Sequence, residues 1–421
     1  MGVVLSNFKL TKKQEQALEV STKSGAKHIL YVGGSRSGKT FGTIWQICYR
    51  ACKCKSRHLI LRKTLASLKP TIIMDTLPKV LELAFQGIEV IINKSDWYAK
   101  FPNGSEIWFS GVDDEKRVEK ILGAEYSTIY FNEVSEISYS IIPTLLSRLA
   151  EKNELTNRVF YDCNPPTKSH WAYKLFINHI DPIQNVPVKD TMYTYLNMNP
   201  VDNAENIDKD YIDAFLKNLP ERDRRRFLDG EWLDDLEGAL WKRGMIDAYR
   251  VQKAPSFRRV IIGVDPAVTC TGESNKTGIV VVGEGINKEI YILEDATFKA
   301  SPKEWSDKVY ELWKKYNCSC IVGEVNNGGD LVEGNILAAN PYLNVKKVRA
   351  SKGKLKRAEP VANLYEKGVV HHLDVFTELE DQMCSYRPDD GQASPDNLDA
   401  MVWAVTEIIG GGATVKIHGT W

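Results

Sequence analysis

Short apolar runs without polar interruption set the pattern of the first half of the chain, at residues 28–32, 58–62, 127–131 and 158–161. Runs of this kind predict strands buried on both faces, the habit of a parallel sheet covered by helices. Residues 97–101 and 106–110 behave differently. Their apolar side chains alternate on either side of Pro102-Asn103-Gly104-Ser105, which predicts a β-hairpin. Residues 219–232 read as a basic helix ending in glycine, at Gly230. Over 236–255 the periodicity lapses, and a β pattern resumes at 259–267, continuing through 277–282 and 288–293 as an antiparallel meander. Residues 301–316 put Trp305, Val309, Leu312 and Trp313 on one helical face. Residues 320–324 form a further apolar strand, and a last helix opens with Ser394 as cap and Pro395 in its first turn. The pattern predicts an α/β chain in two parts: a mainly parallel sheet over 1–235, a linker over 236–255, a mixed sheet over 256–409, and a flexible tail over 410–421.

Composition agrees with this division. At 421 residues the chain is too long for one ordinary core. Its 55 basic and 55 acidic side chains cancel, so any nucleic-acid surface must be a local patch. No apolar run approaches the roughly 20 residues of a membrane span, and the first ten residues lack the apolar centre of a signal peptide. Of eight cysteines, the pairs Cys52/Cys54 and Cys318/Cys320 are spaced too tightly for a usual zinc site, which favours reduced thiols.

Candidate chemistry begins where the run at 28–32 meets Gly33-Gly34-Ser35-Arg36-Ser37-Gly38-Lys39-Thr40 and a helical pattern follows. Strand, Gly-x-x-x-x-Gly-Lys-Thr, helix is the context of a phosphate-binding loop. Gly33 and Gly38 let the backbone curl, so that the N–H groups of the loop, Ser35, Arg36 and Ser37 among them, point at phosphate oxygens. The helix dipole adds to the same field. Lys39 would reach the β- and γ-phosphates and Thr40 would ligate Mg²⁺, so the expected ligand is ATP. Gln14, ahead of the loop strand, either reads adenine with its amide or is a solvated residue at a helix start. The run at 127–131 ends in Asn132-Glu133. Glu133 suits the residue that orients or deprotonates the attacking water, with Glu136 as a weaker second candidate. Asn132 stands where a magnesium-holding Asp is expected; its carbonyl can hold a metal-bound water but adds no charge. After the run at 158–161 comes Asp162-Cys163-Asn164-Pro165-Pro166, a polar turn that suits a γ-phosphate sensor, with Asn164 as the candidate. This order of parts implies a ligand at the carboxyl ends of parallel strands.

In the second half, acids end the strands. Asp265 closes one apolar run and Glu324 another, and a buried carboxylate is expensive unless it is paired or holds a metal. Asp396 and Asp399 share a face of the last helix. Strand Asp, strand Glu and helix Asp form an acidic set like that of the ribonuclease-H-like fold. Such a set holds two divalent metals about 3.5–4 Å apart for phosphodiester cleavage. Hard oxygen ligands suit Mg²⁺ or Mn²⁺. Asp396 is explained about equally well by the helix dipole alone. Lys346, Lys347, Arg349, Lys352, Lys354, Lys356 and Arg357 follow one another without an acid. Beside a candidate metal nuclease such a run reads as a phosphate-contacting segment, with Lys352, Lys354, Lys356 and Arg357 as the DNA candidates.

Together, residues 33–40, 130–136, 162–166, 227–232, 324–330 and 396–404 resemble the large terminase subunit of tailed double-stranded DNA bacteriophages, over nearly the whole chain. The resemblance implies a P-loop ATPase domain of the RecA/ASCE kind joined to a ribonuclease-H-like nuclease domain, working as a DNA-packaging motor. Such a motor cuts concatemeric viral DNA, docks on the portal protein of an empty procapsid and pumps DNA in by ATP hydrolysis, in the host cell cytoplasm. It implies a small terminase subunit as partner, a homo-oligomeric ring on the procapsid, a monomer in free solution, and no membrane. It puts Asp265, Glu324 and Asp399 at the nuclease metals and expects an arginine acting in trans, for which Arg117 and Arg148 are candidates. Asn132 departs from the family pattern. Two other readings stay open: a P-loop helicase or translocase fused to a nuclease for repair or recombination, and a DNA-binding scaffold switched by nucleotide.

Overall fold

The computed structural model describes residues 8–208, 210–266, 276–324, 329–348, 354–387 and 396–410. The chain divides into two compact units, Met1–Asp234 and Asp235–Trp421.

The first unit carries β1 (His28–Val32), β2 (Arg57–Arg62), β3 (Ile91–Asn93), β4 (Tyr98–Lys100), β5 (Glu106–Gly111), β6 (Thr128–Phe131), β7 (Arg158–Cys163) and β8 (Tyr193–Asn197). They form one sheet in the order β3-β4-β5-β2-β6-β7-β1-β8. Neighbours from β5 to β8 run parallel. The expected hairpin is the antiparallel pair β4–β5. The central strands β1, β6 and β7 are buried along their whole length, as continuous apolar runs require. Helix Lys39–Lys53 buries Ile44, Ile47, Cys48 and Ala51. The basic helix is shorter than its sequence pattern suggests, Glu221–Phe227.

The second unit carries β9 (Phe257–Asp265), β10 (Gly278–Gly285), β11 (Ile290–Asp295), β12 (Cys320–Glu324), β13 (Val345–Val348) and β14 (Val370–His372), in the order β13-β12-β9-β10-β11-β14. The β9-β10-β11 meander is antiparallel, β12 and β13 add parallel to β9, and β14 adds parallel to β11. Helix Pro302–Tyr316 is closed at its start by a Ser301–Glu304 capping box and buries Trp305, Val309 and Leu312. The last helix, Asp396–Gly410, crosses β9 and β10 at very short range. A Cβ at Gly263 would collide with the Ala400 carbonyl, and one at Gly278 with the Asp396 carbonyl. Ser394 and Pro395, the expected start of this helix, lie outside the described residues, as does the tail beyond Gly410.

The expected linker is corrected by the structure. Trp241 is fully buried among Tyr365 and Tyr386, and Arg243 pairs with Glu380, so 236–255 is part of the second unit. Its periodicity is hidden because the short helix Arg243–Ala248 turns a charged residue, Arg243, inward. Among the described residues, no helix is long and apolar enough to cross a membrane.

Candidate functional site

The phosphate loop hangs between β1 and helix Lys39–Lys53, and its outer side is fastened to the protein. Gly33 sits at φ +147° and Gly38 at φ +79°, conformations that favour glycine. The N–H groups of Gly33, Gly34 and Ser35 donate to Cys163 O, Asn199 Oδ1 and Phe227 O at 3.3, 3.1 and 2.9 Å, which corrects the expectation that the Ser35 N–H points at phosphate. From Arg36 to Thr40 the loop runs into the first turn of the helix, where backbone donors and the positive dipole end favour an anion. The cavity in front of it measures about 1030 Å³ and is lined by Gln14, Arg36, Lys39, Thr40, Glu133 and Asn164, among others.

Asn199 had no signal in the sequence, and Gly230 had one only as the glycine that ends a helix. Asn199 follows β8, a strand the pattern did not reveal, and its Nδ2 donates to Asp229 O at 2.8 Å while its Oδ1 holds Gly34. Gly230 has φ +65°, and a Cβ there would meet Asn199 Oδ1 and lie 2.9 Å from Gly33 Cα. The motif at 227–232 therefore buttresses the loop. Gly230→Ala is expected to lower nucleotide affinity about tenfold, because roughly 1–3 kcal/mol of strain must be relieved by moving Gly33 and Gly34. Titration with a fluorescent ADP analogue checks this. Gly25→Ala is the control, since Gly25 shares the positive φ but has nothing within 4 Å of its added Cβ. Equal affinities in the two variants would remove the buttress.

Lys39 is buried, with Nζ donating to Gly33 O at 3.0 Å, Gly34 O at 2.6 Å, Ser37 Oγ at 3.0 Å and Asn164 Oδ1 at 3.3 Å. Burial holds its pKa below the ordinary lysine value, against the opposing pull of the Glu133 and Asp162 carboxylates. Asn164 thus touches the loop lysine, where a γ-phosphate sensor is wanted. Gln14 differs from the expectation of an amide presented to adenine. Its Oε1 accepts from Thr11 N at 3.1 Å and its Nε2 donates to Gly38 O at 3.2 Å, so both ends of the amide brace a capping box and the loop.

Thr40 Oγ1 donates to Asp162 Oδ2 at 2.9 Å, and Asn132 turns its Nδ2, not its carbonyl, to the same carboxylate at 2.9 and 3.2 Å. The amide nitrogen of Asn132 is thus committed to Asp162, and the residue lines the cavity. Glu133 adopts φ +54°, a left-handed backbone unusual for a non-glycine residue, and its N–H donates to Asp162 Oδ1 at 2.8 Å. Burial and the neighbouring Asp162 push Glu133 up to about 7. Glu136 is drawn aside by Arg62, whose Nε lies 3.6 Å from Glu136 Oε2. Arg62, at the end of β2, also lines the cavity and was not singled out in the sequence.

In the second unit, Gly323 lies opposite Val264 across parallel strands, so the register carries Glu324 and Asp265 to the same end of the sheet. The close crossing of the last helix brings Asp396 and buried Asp399 toward that end, since Gly278, opposite Asp265, contacts the Asp396 backbone. Among the described residues no three His, Cys, Asp or Glu side chains form a ready metal cluster, and the Glu324 side chain lies outside the described set. Asp295 at the end of β11 joins the neighbourhood, accepting from Asn397 Nδ2 at 2.8 Å; burial raises its pKa.

Of the basic run, Lys352 lies outside the described residues, and Lys354 and Lys356 begin helix Lys354–Glu366 without described side chains. Arg357 is corrected: it is buried, with its guanidinium 4.2 Å over the Trp403 ring, and is not presented to DNA. Lys346 and Lys347 pair with Glu407 and Glu333, acids distant in sequence. Arg117 is exposed beside Asp113 and Asp114, whereas Arg148 donates to Leu122 O at 3.1 Å.

Residues 25–237, just over half the chain, match the phage terminase large subunit family, and residues 262–407 match the terminase RNase H-like domain. No curated protein matches the sequence. Among solved structures, the large terminase of a thermophilic bacteriophage is 17% identical with a TM-score of 0.49, covering 96% of this chain and 100% of its own. The HK97 bacteriophage large terminase is 11% identical with a TM-score of 0.41, over 94% of this chain and 95% of its own. The large terminase ATPase domain of a Thermus phage is 18% identical with a TM-score of 0.38, over 54% and 95%.

Proposed function

The chain belongs to the phage terminase large subunit family, with an ATPase unit and an RNase H-like nuclease unit, and on that premise we propose how its residues divide the work of a packaging motor. The first unit hydrolyses ATP to translocate double-stranded DNA into a procapsid. The second cleaves concatemeric DNA. The observation that carries this reading is the convergence of Lys39, Thr40, Glu133 and Asn164 on one cavity behind a phosphate loop.

Lys39 and the loop donors grip the phosphates, Asn164 reports on the terminal phosphate through Lys39, and Glu133 orients the attacking water and takes its proton. Thr40 would hold Mg²⁺, since its hydroxyl beside a buried carboxylate is the kind of hard-oxygen donor set that ion prefers. When bound there, Mg²⁺ would supply neutralisation of phosphate charge. In the second unit Asp265, Glu324 and Asp399, with Asp396 beside them, would hold two Mg²⁺ or Mn²⁺ ions, which would supply the water activation and leaving-oxygen stabilisation of phosphodiester cleavage. Lys352, Lys354 and Lys356 guide duplex DNA. Arg117, exposed on the surface, is the better of the two candidates for an arginine acting on a neighbouring subunit. The chain works as a ring on the portal protein, with a small terminase subunit, in the host cytoplasm.

The test is a joint assay of the purified chain on intact duplex DNA. Expected are ATP hydrolysis that duplex DNA stimulates, no strand separation, and DNA cleavage that EDTA removes. Cleavage persisting in EDTA would exclude the metal mechanism, and strand separation would return the reading to a helicase.

A further inference from the structure

One fully buried carboxylate in the first unit has no role in the sequence reading. Asp162 lies inside β7, at the centre of a parallel sheet, with no exposed surface. A carboxylate taken from water into such a place is costly unless donors and a cation meet it. The donors are there: Thr40 Oγ1 at 2.9 Å, Tyr130 OH at 2.6 Å, Asn132 Nδ2 at 2.9 Å and the Glu133 N–H at 2.8 Å. All four are neutral, and the nearby charge of the buried Lys39 ammonium is shared with Glu133. They come from the phosphate loop's helix and from the strand end that carries Glu133.

The register explains the arrangement. β6 and β7 are parallel, with Phe131 opposite Tyr161. One step further, Asn132 faces Asp162. The position just after β6 where a metal-holding acid is expected carries the amide, and the adjacent position on β7 carries the acid. Amide and carboxylate have nearly the same shape, and here they are hydrogen-bonded to each other. Relative to the expected pattern, acid and amide stand exchanged within the pair, and the loop threonine is bonded to the acid.

We propose that Asp162, on β7, supplies the carboxylate that anchors the magnesium ion at Thr40, with Asn132 as the neutral donor that orients it. This inference rests on reading the first unit as a Mg²⁺-dependent ATPase. It assigns the metal-site charge to a strand whose only expected part was the Asn164 turn. It also bears on Asn132→Asp: an aspartate there would stand against the Asp162 carboxylate in a buried pair, and like charges so placed disfavour each other.

The test uses the full chain with ADP, following Mn²⁺ by electron paramagnetic resonance and ADP binding by calorimetry with and without metal. Asp162→Asn is expected to weaken Mn²⁺ in the nucleotide complex on the order of 10–100-fold, as loss of a metal-orienting partner does, and to change metal-free ADP binding by much less. Asn132→Asp alone is expected to bind metal no better than the parent. The reciprocal double variant, Asn132→Asp with Asp162→Asn, keeps one carboxylate and one amide in the same pair and is expected to recover Mn²⁺ binding. It also keeps the test decisive if Asp162→Asn does not fold. Unchanged Mn²⁺ affinity in Asp162→Asn, or no recovery in a folded double variant, overturns the assignment alone. Failure of the parent chain to bind ADP overturns the ATPase reading and the assignment with it.

Discussion

Glu133→Gln is expected to bind ATP and to hydrolyse it about 10²–10⁴-fold more slowly than the parent chain, the usual loss when a general base is removed. The expectation follows from how the residue is held. β6 ends at Phe131, and the chain then turns sharply through Glu133 at φ +54° into the short turn Val134–Glu136. A left-handed conformation at a residue with a Cβ costs on the order of 1–3 kcal/mol and persists only where the surroundings enforce it. Here the enforcing contact is the Glu133 N–H on Asp162 Oδ1, at 2.8 Å. The strained turn delivers the Glu133 carboxylate to the cavity wall. Burial and the Asp162 charge push it up to about 7, so its affinity for a proton is near that of a base working at neutral pH. Glutamine keeps the shape and cannot accept the proton. ATP binding by calorimetry and single-turnover hydrolysis, measured side by side, decide the matter. A normal rate in Glu133→Gln would move the base to Glu136, although Arg62 holds that carboxylate. Loss of binding as well would make Glu133 a residue of the fold. Lys39→Ala is the contrasting variant: the buried ammonium bonded to Gly33, Gly34, Ser37 and Asn164 is part of the binding surface itself, so binding and hydrolysis should fall together.

The elements that sequence pattern revealed are those whose burial is uniform. β1, β2, β6 and β7 are nearly all apolar because both faces are covered, and each was legible as a run. β8 was not, because it is only partly buried and reads Tyr-Thr-Tyr-Leu-Asn, a pattern any surface segment can carry. The phosphate loop was legible because its glycines and lysine are required locally. Its buttress was not, since Asn199 and Gly230 act on Gly33 and Gly34 across about 165 and 200 positions of sequence, a distance no periodicity spans. The same limit hid the pairing of Asn132 with Asp162. Either residue alone looks like a strand-end polar group, and only strand register makes them one unit. One signal was available: an aspartate within an otherwise apolar strand is expensive and calls for a partner. In the second unit the strand acids were legible for that reason. The basic run misled at Arg357, because a long amphipathic side chain can lie buried against an aromatic ring, here Trp403, with nothing in local composition to say so.

Glu380→Gln is expected to destabilise the second unit by about 3–5 kcal/mol, the cost of leaving buried cations without their anion. Glu380 is fully buried and joins segments that the sequence pattern assigned to a linker and to a nuclease domain. Arg243 bonds one of its oxygens, Arg250 reaches both at 2.7 and 3.0 Å, and His372 Nδ1 lies 2.9 Å away. The Phe376 N–H adds a further donor at 3.0 Å. Burial opposes the charge, but the two guanidinium groups and the imidazole prevail and hold Glu380 well below its ordinary value of 4.5. Burial also lowers His372 below 6.5, so the folded unit prefers the ring neutral, with Nε2 on the Tyr365 hydroxyl at 2.8 Å. Both shifts have one sign. A group depressed in the folded state contributes stability above its unfolded pKa and loses it as pH falls. Stability of this unit should therefore decline in two stages on acidification, first below about 6.5 as His372 protonates in the unfolded chain and again below about 4.5 as Glu380 does there. Hydrogen-exchange protection factors of Val370–His372 and Thr377–Ser385 report the network directly. At pH 7 they should fall roughly 10²–10⁴-fold in Glu380→Gln, while those of His28–Val32 in the other unit stay unchanged. The variant should also lose the second acid stage and keep the first. If protection at 370–385 is the same in parent and variant, the buried ions contribute no net stability, and the packing of Trp241 against Tyr365 and Tyr386 alone holds residues 236–255 to this unit.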